Sequence, residues 1–166
     1  MGSQLASDKK YSAKDFCYRR FQTQHIENSI FRNCLFSLTH WKDVEFANCS
    51  FHMCFFDAAK FSRVTFFSCR AMCCVFSGAF FHDAKWDNCD FLQGNFQMAH
   101  FSSAIIKNSD MGYSSFIKSQ WLASHWKNCN MSMCNFSWAD LDSIQFINCN
   151  EEMSQFSNQR LGTTFF

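Results

Sequence analysis

The chain has 166 residues, enough for one domain with a sizeable core, and its 15 Lys and Arg nearly balance 14 Asp and Glu. That balance argues against a general nucleic-acid binder, which carries a basic excess, and against a strongly acidic nucleic-acid mimic. A composition with 23 Phe, 11 Cys, 5 Gly, no Pro and 19% aromatics excludes a disordered chain.

In chain order, the opening MGSQLASDKKYSAKDF has no apolar run of the kind a secretory signal needs. No later stretch approaches the ~20 apolar residues of a membrane helix. Residues 1–15 read as a tail or an N-terminal cap. An odd count of Cys in a chain of this size favours reduced thiols over a disulfide framework. The expected location is therefore cytoplasmic.

From Phe16 onward a period of five takes over. Every fifth position to Phe166 is apolar except Glu151, and these slots hold 19 of the 23 Phe and four of the five Trp. A second register lies two residues earlier. From Ser29 to Ser154 it carries Cys, Ala, Ser, Thr, Val or Gly, with Ile144 as the exception. Neither a helical stripe nor an alternating strand buries two of every five side chains at fixed phase.

A longer period sets the shape. Asn28, Asn48, Asn88, Asn108, Asn128 and Asn148 fall on a 20-residue lattice with Ser68 in the gap, and Phe16, Phe36, Phe56 and their successors to Phe156 form an all-Phe column. Four five-residue units per coil make a square-sided solenoid with a solid Phe core, each coil resting on the next. Asn suits its corners, because it tolerates left-handed backbone and can pair its amide with the coil above. At strand spacing the rod is roughly 35–40 Å long. The predicted fold is all-β, about eight coils over 16–166, with no internal linker.

This pattern resembles the pentapeptide-repeat family, whose unit is A-(D/N)-(L/F)-x-x. Clear copies are Ala139-Asp140-Leu141-Asp142-Ser143, Cys89-Asp90-Phe91-Leu92-Gln93, Ser109-Asp110-Met111-Gly112-Tyr113 and Cys129-Asn130-Met131-Ser132-Met133. The resemblance implies a right-handed quadrilateral β-helix. The preference for Phe centres and Cys in the small register (FRNC, WDNC, WKNC, FINC) is similar to the quinolone-resistance branch, whose members bind DNA gyrase as acidic mimics of duplex DNA. It is also similar to Phe-rich repeat domains of some bacterial effectors. The projecting loops, acidic surface and C-terminal dimerising helix of the gyrase-binding members have no counterpart in these residues. The chain stops in mid-repeat, the pattern of a fragment or of an end covered by a partner.

Fold alone does not imply activity, so any chemistry must rest on particular residues. Cys34, Cys49, Cys54, Cys69, Cys74, Cys89, Cys129, Cys134 and Cys149 sit in the small register and read as core filling. There is no C-x-x-C pair for a closed zinc site, and no metal or cofactor is expected. Cys17 and Cys73 lie off that lattice, with His52 one coil before Cys73. A filled rod offers no water-poor pocket for catalysis, so no enzyme activity and no small-molecule substrate are expected. The outward column Arg20, His40, Lys60, Phe80, His100, Gln120, Asp140 is basic only in its first half, which does not make a nucleic-acid surface.

The sharpest anomaly is apolar residues in outward slots: Met53, Phe55, Met72, Cys73, Val75, Leu92, Tyr113, Met133 and Met153, with Leu35, Leu38 and Met98 nearby. Met-rich exposed surfaces adapt to partners. The alternatives are a missing segment of the same chain over this face, or accident. Ala71 and Glu151 break the core column on the same face; Ala71 leaves a void unless Met72 or another neighbour leans in. The expected function is a non-catalytic interaction scaffold binding a protein through this face, with inhibition or protection of a type II topoisomerase by DNA mimicry as the alternative. No membrane is expected as partner, and the strand edges at the solenoid ends make end-to-end self-association a further expectation.

Overall fold

The computed structural model of the protein describes residues 3–158. The lattice positions Leu161 and Phe166 lie outside the described residues. The chain winds as a right-handed four-sided β-solenoid in which every strand pairing is parallel and shifted by 20 residues, as in Lys10–Ser12 on Ile30–Arg32 and Arg20–Glu27 on His40–Ala47. Seven 20-residue steps separate Phe16 from Phe156 along the all-Phe column, whose rings stack at 4.8–5.2 Å with planes within 8°. That spacing matches the pitch of neighbouring strands, so identical rings overlap coil after coil at a favourable stacking distance. In order from their first central residues, the four faces are the Phe16, Phe21, Ile26 and Phe31 sides. No helix among the described residues is long and apolar enough to cross a membrane.

Residues 8–15 are already wound onto this lattice, and ahead of them Ser3 and Leu5 pack on the first coil out of register. The amide of Ser3 donates to the Arg20 carbonyl (2.7 Å), Leu5 is buried, and Tyr11 stacks on Phe31 at 5.0 Å.

Each corner requires a backbone conformation that L-residues avoid. Positive φ recurs every fifth residue from Asp8 to Asn158, and only Ser143 departs from it. On the Phe16 side the physical reason is explicit. Ala59, Ala79 and Ala99 donate back to Phe56, Phe76 and Phe96, closing turns whose third residue, as in a type II turn, has positive φ. Gly78 fits that slot without strain, whereas Leu38, Met98 and Trp138 occupy it with full side chains. At the corner after the Ile26 side, Asn128 Nδ2 donates to Asn108 Oδ1 (3.2 Å) and Asn148 Nδ2 to Asn128 Oδ1 (3.4 Å), the amide ladder expected from the Asn lattice.

The small register does more than fill space. The Cys49 thiol donates to the carbonyls of Ala47 (3.4 Å) and Ile26 (3.3 Å), and Cys69 and Cys89 repeat this on the next coils. Ser109 makes the corresponding bond to Lys107. Cys and Ser therefore interchange as small donors as well as small volumes.

The same register satisfies two of the four core tryptophans, whereas the buried Nε1 of Trp126 has no partner among the described residues although Ser124 lies two residues before it. Trp41 Nε1 donates to Thr39 Oγ1 (2.7 Å) and Trp121 Nε1 to Ser119 Oγ (2.8 Å). Trp86 follows Ala84, and its buried Nε1 has no partner among the described residues. Thr39→Val keeps the shape and removes the acceptor, so it is expected to lower unfolding stability by about 1–3 kcal/mol, measured by denaturant titration.

At Ala71 the core closes by a side-chain tilt. Phe31 and Phe51 stack at 4.9 Å, and the column is then interrupted. Phe91, one coil above, packs its ring against Phe66 (5.5 Å) and Phe76 (6.0 Å), which flank Ala71 in its own coil. No other rings 25 residues apart come into contact among the described residues. Phe91, rather than the exposed Met72, fills the space. Glu151 is itself exposed where the core thins, beside half-buried Phe156.

Candidate functional site

The outward apolar residues divide into two groups. Leu35, Phe55 and Val75 bridge in register up the Phe16 side, with Asp15 below and Asn95 above. Around the adjoining corner, Met53 and Cys73 hold φ of 50° and 54°, so their side chains leave the corner itself rather than a flat face. Met72 and Leu92 pair across the strands Arg70–Met72 and Asp90–Leu92. Met53, Phe55, Met72, Cys73, Val75 and Leu92 thus share one stretch of three successive coils. Leu35 extends it by one more.

Tyr113, Met133 and Met153 continue the corner column on later coils, but Gln93 separates them from Cys73. The Cys73 thiol donates to Gln93 Oε1 at 3.1 Å, and no contact with His52 accompanies it. The flank beside this upper group is polar: Asn95, Ser115, Asn135 and Gln155 follow Val75 up the ladder. The nine residues expected to act together are therefore one contiguous patch of six and a narrower strip of three.

Charges border the patch without entering it. Arg70 pairs with Asp90 at 3.4 Å beside Met72, and a shallow depression of ≈ 450 Å³ lies between Arg32, His52, Arg70 and Met72. Asp90 and Asp110 are the one directly stacked acidic pair among the described residues, so winding the chain produces no acidic stripe. Burial pushes the Cys134 thiol up to about 12, which keeps it protonated and inert. No group of three or more His, Cys, Asp or Glu gathers to hold a metal ion among the described residues.

Trp138 was missed as a surface residue. It occupies the corner between the Phe16 and Phe21 sides at φ 62° and is 60% exposed, in the same column as Tyr18, Leu38 and Met98. The signal was present: it is the one Trp outside the central register. The Phe16 side is thus edged by apolar residues at both corners.

The Pentapeptide repeat region profile matches residues 39–116 and again 79–156, together most of the chain. The chain belongs to the pentapeptide-repeat family. Its fold is similar to that of full-length QnrB1, a plasmid-mediated fluoroquinolone resistance protein. The TM-score is 0.68 at 23% identity, covering 95% of this chain and 86% of that one. A trypsin-treated form of QnrB1 gives a TM-score of 0.65 at 22% identity, covering 96% and 90%. At this identity the likeness speaks for the fold. No curated protein matches the chain.

Proposed function

We propose that this pentapeptide-repeat protein is a non-catalytic rod that docks a protein partner through Met53, Phe55, Met72, Cys73, Val75 and Leu92. The observation that carries this reading is the contiguity of exposed Met53, Phe55, Met72 and Cys73 with half-buried Val75 and Leu92 on a rigid, register-locked ladder. Soluble proteins seldom leave such area bare, and thioethers adapt to varied partner surfaces. The bordering Arg32 and Arg70 favour a partner with an apolar centre and carboxylates at its rim. Eleven unpaired thiols favour a reducing cytosol as its location.

The test is affinity capture from cytosol with the native chain and with Met53→Asp/Phe55→Asp/Met72→Asp, after both show the same thermal melting. A specific protein held by the native chain and lost with the variant is the expected result. Equal capture by both sinks the reading, and a Tyr113→Asp/Met133→Asp variant reports whether the upper strip contributes.

A second reading, action on a type II topoisomerase by charge mimicry, draws on the end-to-end fold likeness to QnrB1. The scattered carboxylates weigh against it. Adding the chain to purified gyrase with a fluoroquinolone is expected to leave inhibition of supercoiling unchanged; restored activity would favour the mimic.

A further inference from the structure

The Phe21 side, opposite the Phe31 side, has a charge gradient along its length. Arg20, Lys42 and Lys60 project from its first three coils, whereas Asp140 and Asp142 project from the last described one. Between them lie Phe80 and Leu122, both exposed, with His100 stacked on Phe80 at 4.7 Å. None of these five charged groups forms an ion pair among the described residues. Nearby charges that do pair are Asp43 with Arg63 (2.6 Å) along the next corner, and His82, on this side, with Asp83 (3.3 Å) at that corner. Partial burial, followed by the charges of Lys60 and Arg20, lowers the pKa of His40, as a positive end requires. Over the upper coils the side is hollowed into an open groove of ≈ 430 Å³ running from Phe80 past Leu122 to Asp142.

We propose that this side binds a second copy of the chain, antiparallel, about a two-fold axis lying in the interface between the coils of Phe80 and His100. Such an axis keeps each side-chain column opposite itself and reverses the order of coils. Lys42 then faces Asp142 of the second copy, His40 faces Asp140, Lys60 faces Gln120, and Phe80 faces His100. The contact is isologous, so every favourable pair occurs twice. Regular coil pitch keeps all four pairings in step at about 4.8 Å per coil. The groove over the upper coils receives the aliphatic stems of Lys42 and Lys60, whose ammonium groups end at its acidic mouth. A parallel two-fold dimer would instead place Lys42 against His40, leaving the ammonium without an acidic partner, and Asp142 against Asp140, setting like charges together at the acidic end. The two apolar docking patches stay outside the antiparallel contact, so the dimer would present two of them. The proposal does not depend on the identity of their partner.

Sedimentation velocity over a concentration series at low salt tests this. The native chain is expected to move toward twice the chain mass as concentration rises, and to return toward monomer in high salt. Lys42→Glu alone and Asp142→Lys alone each put like charges at both ends and should weaken association at least about tenfold. An equimolar mixture of the two variants restores it, because one end then carries the swapped pair and the other the native pair. The double variant Lys42→Glu/Asp142→Lys restores it as well. All three variants change only exposed surface residues, and matched thermal melting confirms that each chain is folded. A native chain monomeric at every concentration overturns the proposal. So do a dimer indifferent to the single swaps and a mixture that fails to associate.

Discussion

Phe76→Ala is expected to lower unfolding stability by about 3–5 kcal/mol, the range for removing a large buried ring. Phe76 lies in the middle of the Phe column, stacked at 4.8 Å on both Phe56 and Phe96, and it also meets Phe61, Phe81 and Phe91 across the core. Backbone hydrogen bonds to the coils on either side keep those walls from collapsing into the void. Because each coil contacts only its neighbours, the loss should also weaken coupling between the two halves of the rod. A guanidinium titration is expected to show a lower midpoint and a broader transition. The same change at Phe156, half-buried and stacked on Phe136 at 5.2 Å, should cost less than half as much. Equal losses at the two sites would mean that the core does not act as a set of stacked coils.

Ala71→Phe runs against the repeat pattern's own logic. Restoring the aromatic at an interrupted lattice position looks stabilising, yet the variant is expected to be less stable by about 1–3 kcal/mol. The space above Ala71 holds the tilted ring of Phe91, in contact with Phe66 and Phe76. A new ring must either displace Phe91 into the column or adopt a strained rotamer. The double variant Ala71→Phe/Phe91→Ala tests the cause. If the two rings compete for one volume, the paired substitutions recover part of the loss and their effects are not additive. Additive effects, or a gain from Ala71→Phe alone, would show that the position is an unfilled void.

The fold was legible because one signal repeats about thirty times. A large apolar residue every fifth position and a small one two before it are sufficient to require a four-sided coil, and Asn every twentieth residue marks one of its corners. Two features of the fold were beyond that reading. The hydrogen-bonding role of the small register depends on a carbonyl 23 residues earlier, as with Cys49 and Ile26, which no local pattern displays. The positive φ at Met53, Tyr113 and Trp138 arises from the solenoid forcing a turn there, whatever residue occupies the slot.

The interaction surface was legible only as a list of outward residues. Column arithmetic placed Met53, Phe55, Met72, Cys73, Val75 and Leu92 near one another. It did not show that Gln93 cuts off Tyr113, Met133 and Met153, because exposure and continuity depend on how neighbouring side chains lean. Trp138 was overlooked for a related reason: its phase marks it as outward, but only the corner geometry makes it stand clear of the rod.

By itself the sequence determined the architecture, the coil length, the contents of the core and which residues face outward, since all of these follow from periodicity and the burial of apolar surface. Only the tertiary structure decided that Phe91 closes the gap at Ala71 and that the upper coils of the Phe21 side are hollowed into a groove. Those outcomes are set by contacts between coils 20 or more residues apart, where ring tilt responds to neighbours in space rather than to neighbours along the chain.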